Sequence, residues 1–255
     1  MTDDQQTVRV ELVAADWNLK VNVVASTRPM RLLQLLPLAN KVADAVTNMV
    51  EQAVEKQGRT ISCKKGCAAC CRTMVPISEV EARRVRQLVE SFPEPKRSQV
   101  QARFAEALRR LDDAGLGDRL RNRTDWTSAE YKAVPDRYFL EGIACPFLEE
   151  ESCSIYADRP MTCREYLVTS PPEKCALPTN DEVDEVKRPF RVMSALARFD
   201  SVSPTADHIR WVPLILSLEW AAGQSEAPAT RTGIELARTL FQNVAEREDA
   251  RLTIE

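Results

Sequence analysis

The chain has 255 residues, 44% hydrophobic and 29% charged, a balance that excludes a disordered or fibrous polymer and suits one sizeable core or two modest ones. A formal net charge of -3 gives no global pull toward nucleic acid, so no nucleic-acid partner is expected. The polar start MTDDQQ lacks the basic and apolar regions of a secretory signal, and the most apolar stretch, 211–222, is interrupted by Pro213, Ser217 and Glu219; no membrane span and a cytoplasmic location are expected.

Residues 8–13 (VRVELV) and 19–24 (LKVNVV) alternate apolar and polar with period two, which predicts a two-stranded antiparallel unit. After Pro29 the period changes. Leu35, Ala39, Val42, Val46, Met49 and Ala53 recur at steps of four and three, and Gly58 is placed to end a long amphipathic helix. That stripe could form a homodimer seam through helix 35–53, but burial against the protein's own helices is preferred because coiled coils need a longer sustained pattern. Ser78 and Glu81 have the spacing of a capping box, predicting a helix over 79–90. Pro93 and Pro95 break it, and Val100, Phe104, Ala107, Leu108 and Leu111 mark a second helix ending before Gly115, the two forming a hairpin. Residues 115–127 read as an exposed connection.

Residues 131–180 carry six prolines and few apolar repeats, so a loop-rich segment with short helices is expected. Such a segment needs another source of order, and metal ligation can supply it. Helical patterns return over 189–199, 211–222 and 231–247. The fold class expected is mainly α, with a small N-terminal antiparallel β unit and a loop-rich cysteine metal-binding module. One compact domain would comprise 1–57 (β unit and long helix), 58–180 (cysteine module) and 181–255 (C-terminal helices).

Charge is uneven: residues 60–123 hold fourteen Lys or Arg against eight Asp or Glu, and 124–200 hold nine against fifteen. Solvated helix faces explain this better than a patch for a polyanion.

Eight cysteines are the chemical signal. Cys63, Cys67, Cys70 and Cys71 lie within nine residues as C-x3-C-x2-C-C, and Cys145, Cys153, Cys163 and Cys175 form a looser second group. In a reducing compartment this density points to a shared metal centre rather than disulfides, because soft thiolates favour zinc, copper(I) or iron–sulfur clusters. Gly66 predicts a turn and then a helix start. Adjacent side chains diverge, so Cys71 is expected to face a different metal, or another cluster edge, from Cys70. Lys64, Lys65 and Arg72 could offset thiolate charge. In the second group Asp158 is the expected N-cap of a short helix with Pro160 in its first turn, holding Cys163 and turning its positive end toward the thiolates. Arg159 and Arg164 can donate to sulfur or to carboxylates.

The ordered combination C-x3-C-x2-C-C, C-P-F-L (Cys145), C-x-I-Y-x-x-R-P (Cys153) and C-R-x-Y (Cys163) resembles the YkgJ-type cysteine-cluster family of zinc- or iron-chelating domains. The resemblance covers residues 63–166 and implies metal binding by Cys63, Cys67, Cys70, Cys71, Cys145, Cys153 and Cys163; Cys175 lies outside the matched part and is an eighth candidate. It implies zinc or an iron–sulfur cluster, with [4Fe–4S] the favoured cluster type. A flagellin lysine methylase resembles this family in its cysteine module, so an iron–sulfur enzyme, oxidoreductase or S-adenosylmethionine-dependent methyltransferase, is the alternative function. The C-x3-C-x2-C spacing also matches radical S-adenosylmethionine enzymes, but a long helix precedes it, Ala69 stands where an aromatic is usual, and no strand–helix repeat is present for a barrel. His208, the sole histidine, reads as a surface or core residue, Glu149–Glu151 as a solvated turn, and Trp211 and Trp220 as core. No residue is assigned a catalytic role.

Overall fold

A computed structural model describes residues 4–123, 126–177, 182–199, 210–225, 228–246 and 249–255. The expected hairpin is present, with β1 (Gln5–Ala14) antiparallel to β2 (Trp17–Ser26) in a register that pairs Val10 with Val21 and Leu12 with Leu19. The alternation places Val8, Val10, Leu12 and Ala14 on the buried face. A third strand, β9 (Ala250–Ile254), pairs with the other edge of β1, Leu12 opposite Leu252, so the far end of the chain completes the sheet.

The chain then makes a two-residue strand, β3 (Pro29–Met30), and enters α1 (Leu36–Lys56) with Pro37 in the first turn, where its missing N–H costs nothing. Gly58 ends α1 at φ +70°, a left-handed conformation that suits glycine. The buried face of α1 is Leu36, Ala39, Val42, Ala43, Val46, Val50 and Val54, consumed inside the chain. Met49 and Ala53, expected on that stripe, lie at its margin, because a helical turn of 3.6 residues rotates the seam onto Val50 and Val54.

The next strand, β4 (Pro76–Ile77), leads into α2 (Glu79–Glu90), which has the expected capping box. The Glu81 amide donates to Ser78 Oγ (3.3 Å), and the Ser78 amide and hydroxyl donate to Glu81 Oε2 (3.0 and 2.8 Å). Helix α3 (Lys96–Asp113) packs back on α2 through Val100, Phe104, Ala107 and Leu111. The described residues of 115–127 are not an exposed connection: α4 (Gly117–Arg121) buries Leu120 completely, Leu116 is equally buried, and Trp126 closes the patch. Leu116 and Leu120 have helical spacing, but two apolar residues among glycine and charged neighbours are too few to mark a buried face, which is why the sequence conceals it. Helix α5 (Glu130–Leu140) forms despite Pro135, which lies inside it past the first turn and so cannot donate a backbone hydrogen bond to Tyr131.

Of the stretch 131–180 expected to be loop-rich with short helices, residues 131–140 lie instead in helix α5, and the described remainder, 141–177, is loop-rich as expected. Its regular pieces are the hairpin β5 (Leu148–Glu149) and β6 (Ser152–Cys153), the short helix α6 (Met161–Glu165) and 3-10 turns. Helix α7 (Val192–Arg198) follows. Residues 211–222, expected as one helix, divide into β7 (Val212–Pro213), a 3-10 turn and α8 (Ser217–Ala222), because Pro213 cannot continue a helix and Val212 pairs with Ile77 of β4. Finally β8 (Arg231–Thr232) pairs with β3, and Thr232 and Glu235 form a second capping box at the start of α9 (Gly233–Val244).

Two apolar cores result. The first joins the inner faces of β1 and β2 with α1, α7 and α9; the second joins α2, α3, α4, α5 and the 212–216 segment. Helix α2 belongs to both, Val80 facing the first core and Ala82, Val85 and Leu88 the second. The segment 155–167 crosses between them, with Ile155 in the second core and Met161 and Leu167 in the first. Trp211 and Trp220 sit half-buried at the edge of the second core, Trp220 beneath the Arg83 guanidinium at 4.9 Å, so they border that core rather than fill it. No helix among the described residues is long and apolar enough to cross a membrane.

Candidate metal centre

Four short segments meet where the two cores adjoin. The first starts at Ser62, whose amide donates to Val168 O (2.9 Å), while the Val168 amide donates to Cys63 Sγ at 3.4 Å. A turn from Lys64 to Cys67 follows, with Gly66 at φ +90°, and then a 3-10 turn over Ala69–Arg72 that carries Cys70 and Cys71. Glycine is needed at Gly66 because that φ is strained for any other L-residue. The second segment is tied directly to the first: the Cys145 amide donates to Cys71 O at 2.7 Å. Phe147 anchors it in the second core, and the β5–β6 hairpin presents Cys153 opposite Leu148. Both residues of the hairpin turn, Glu150 and Glu151, hold positive φ, as a two-residue turn between twisted strands requires. The acidic run is not merely solvated, since Glu149 pairs with Arg103 (2.5 Å) and Glu151 with Arg72 (2.6 Å).

The third segment is α6. Asp158 is not its N-cap; Pro160 occupies that place and Asp158 pairs with Arg84 at 3.1 Å. Nor does the start of the helix face the thiols, for the Met161 amide donates to Glu81 Oε1 at 2.7 Å. Glu81 thus caps α2 with one oxygen and holds α6 with the other, and burial raises its pKa. This anchor fixes Cys163, a half-buried residue whose thiol is driven well above its ordinary pKa, by desolvation first and then by Cys145, Cys70 and Cys153. The fourth segment is the 3-10 turn Pro172–Ala176, packed on the one bearing Cys70; it buries Cys175, whose sulfur accepts the Tyr166 hydroxyl.

All eight cysteines are free thiols. The structure brings them together around Cys70, which acts electrostatically on Cys63, Cys145, Cys153, Cys163 and Cys175 and is hydrogen-bonded to Cys71. Cys67 lies beside Cys63 and Cys175. The Cys71 bond, followed by burial, raises the Cys70 pKa strongly; burial first, then neighbouring thiols, pushes Cys145 to about 12 and Cys175 to about 11. Backbone amides oppose this at three sulfurs, Val168 at Cys63, Phe147 at Cys145 and Ile155 at Cys153. An N–H aimed at sulfur favours the thiolate and orients it, so the donor set suits a soft or borderline metal. Among the described residues, however, no group of three or more His, Cys, Asp or Glu side chains is arranged so that it could hold a metal ion.

Of the basic residues expected near the thiols, Arg159 is the one that acts on both cysteine groups, lowering Cys63, Cys70 and Cys153 while stacked on Tyr156 at 4.0 Å. Arg72 acts on Cys71 but is engaged by Glu151, Lys64 and Lys65 point to solvent, and Arg164 donates to Asp44 and to the Arg159 carbonyl. Glu81 was readable only as a helix cap; its second bond, to α6, carried no local signal. His208 lies outside the described residues.

Residues 62–187 match a family model, CxxCxxCC, described as "Putative zinc- or iron-chelating domain". Searches of curated proteins and of solved structures returned no match. The matched region contains all eight cysteines and every segment that meets at Cys70. Residues 62–187 are therefore similar to the CxxCxxCC family, whose description supports metal binding.

Proposed function

We propose that this chain holds zinc or iron on its clustered thiolates, with Cys63, Cys67, Cys70, Cys71, Cys145, Cys153, Cys163 and Cys175 as the donor set. The observation that carries the reading is the position of Cys70, where thiols some hundred residues apart in sequence are electrostatic neighbours. Free thiols at this density, most of them half-buried, repel one another once ionised, and a cation among them removes that penalty. Loading requires the side chains to rotate about χ1 onto the ion and release their protons. A bound ion supplies cross-links between segments or, as an iron–sulfur cluster, electron transfer.

The protein's own residues provide the rest. Val168, Phe147 and Ile155 orient sulfurs through their amides, Glu81 holds the Cys163 helix, Tyr166 donates to Cys175, and Arg159 offsets negative charge. Two modest cores joined by short segments gain most from such cross-links.

Anaerobic purification, metal and acid-labile sulfide analysis and a visible spectrum test the proposal. Retention of zinc without colour identifies a zinc protein; iron with sulfide and a sulfur-to-iron band identifies a cluster, with [4Fe–4S] the expected type. A protein that purifies without metal and takes up neither zinc nor iron on reconstitution overturns it.

A further inference from the structure

Where α2 leans on the first core, the fold leaves a partly enclosed cavity of about 170 Å³. Its walls come from segments far apart in the chain. Pairing of β3 with β8 sets Met30 opposite Arg231, and the 3-10 turn after β3 supplies Leu33. Val80 and Arg83, three residues apart on one face of α2, form a second side, and Phe199 and Leu236 a third. Gly233 lets the wall close, since a Cβ there would lie 2.8 Å from both Met30 Sδ and the Ser26 nitrogen. No cysteine among the described residues lines this cavity, so it is separate from the metal centre.

Hydrocarbon walls alone would suit any small apolar molecule, but two guanidinium groups stand at this cavity. Arg83 lies over Trp220 at 4.9 Å, and its ion pair with Glu79 is stretched to 4.0 Å. Its buried Nε has no hydrogen-bond partner, a desolvated donor that an acceptor entering the cavity would satisfy. Arg231 is exposed at the rim, 5.3 Å from the centre of the Phe199 ring. Glu235, on which Arg231 acts, is already engaged by the Thr232 amide and hydroxyl. No acidic side chain among the described residues lines the cavity, so its charge favours an anion.

We propose that this cavity binds a small monocarboxylate, its hydrocarbon body against Leu33, Val80, Phe199 and Leu236 and its carboxylate on Arg83, with Arg231 at the mouth. A planar guanidinium offers a carboxylate two parallel N–H donors. The volume suits a body the size of a benzene ring, which an apolar cavity of about 150 Å³ accommodates. Inorganic phosphate would meet the charge but leave the apolar walls without contact.

The test is isothermal titration calorimetry of the full chain, as purified, with benzoate and 3-methylbutanoate, set against benzyl alcohol and inorganic phosphate. Saturable binding of one carboxylate per chain is expected, roughly tenfold or more tighter than either the alcohol or phosphate. Arg83→Met keeps much of the side-chain bulk and should weaken that binding roughly tenfold or more, Arg231→Met should weaken it less, and Leu33→Trp should abolish it by filling the cavity. If a variant does not fold, the contrast between carboxylate, alcohol and phosphate on the unaltered chain still decides. Absence of saturable carboxylate binding, equal affinity for benzyl alcohol or for phosphate, or full affinity in Arg83→Met overturns the proposal. Each of these results leaves the metal-binding reading untouched, because metal content is measured separately.

Discussion

The two halves that meet at Cys70 are built in opposite ways. The half around Cys63 is assembled from the ends of the chain: β1 and β2 from the first thirty residues, β9 and α9 from the last twenty-five, with α1 between them. The half around Cys145 and Cys153 is drawn mostly from one stretch, 77–155, closed by the 212–216 segment. A half built from distant segments depends on loop closures that local contacts do not supply, whereas a contiguous half can organise through hairpin-like neighbours. The cysteine segments join the two, so a metal centre there would couple a topologically costly core to a cheap one.

Metal removal should produce the largest effect on this pairing. Stripping the loaded protein with a chelator is expected to lower Tm by roughly 10 °C or more, read by circular dichroism, because ligand binding to the folded state alone adds several kcal/mol. An unchanged Tm would mean that the two halves hold together without the ion. Paired core truncations come next. Phe147→Ala and Phe241→Ala should each cost about 3–5 kcal/mol in denaturant unfolding, since both side chains are fully buried. They should differ in metal content: Phe147 lies between Cys145 and Cys153 and its amide faces the Cys145 sulfur, whereas Phe241 lies on α9, remote in sequence from the cysteines. Equal metal loss in both variants would dissolve the distinction between the halves.

Smaller effects sharpen the joint. Glu81→Ala removes the acceptor shared by α2 and α6 and should cost about 2–3 kcal/mol, with weakened metal retention, because two buried backbone amides lose their partner. Glu81→Gln keeps an acceptor oxygen and should recover part of that loss. The smallest expected effect is at α9, where Thr232→Ala removes an exposed cap and should cost about 1 kcal/mol without altering metal content. A change in bound metal from Thr232→Ala would show coupling from the far side of the first core.

Period and caps explain which elements were readable. The β1–β2 hairpin, α1, α2 and α3 each announce themselves by alternation, a helical stripe or a proline boundary. Strand β9 does not, because five residues of mixed polarity pair only when β1 offers its free edge. Residues 116–126 looked solvent-facing for a related reason: Leu116, Leu120 and Trp126 are buried by what α2, α3 and the 212–216 segment leave open above them. For the site, spacing identified the cysteines and a resemblance grouped seven of them; that the turn bearing Cys175, the eighth candidate, packs on the turn bearing Cys70 was visible only in the fold. Arg159 was one of several basic candidates, and only packing on Tyr156 distinguished it.

By itself the sequence determined the helical class, the N-terminal hairpin and the identity of the thiols, because periodicity, capping residues and soft donor atoms are local properties. The tertiary structure alone decided that Cys70 has electrostatic neighbours in both cysteine groups, that Glu81 anchors α6 and that strand β9 closes the sheet begun by β1. These follow from contacts between residues far apart in the chain, which depend on how buried faces share space rather than on any residue's neighbours in sequence.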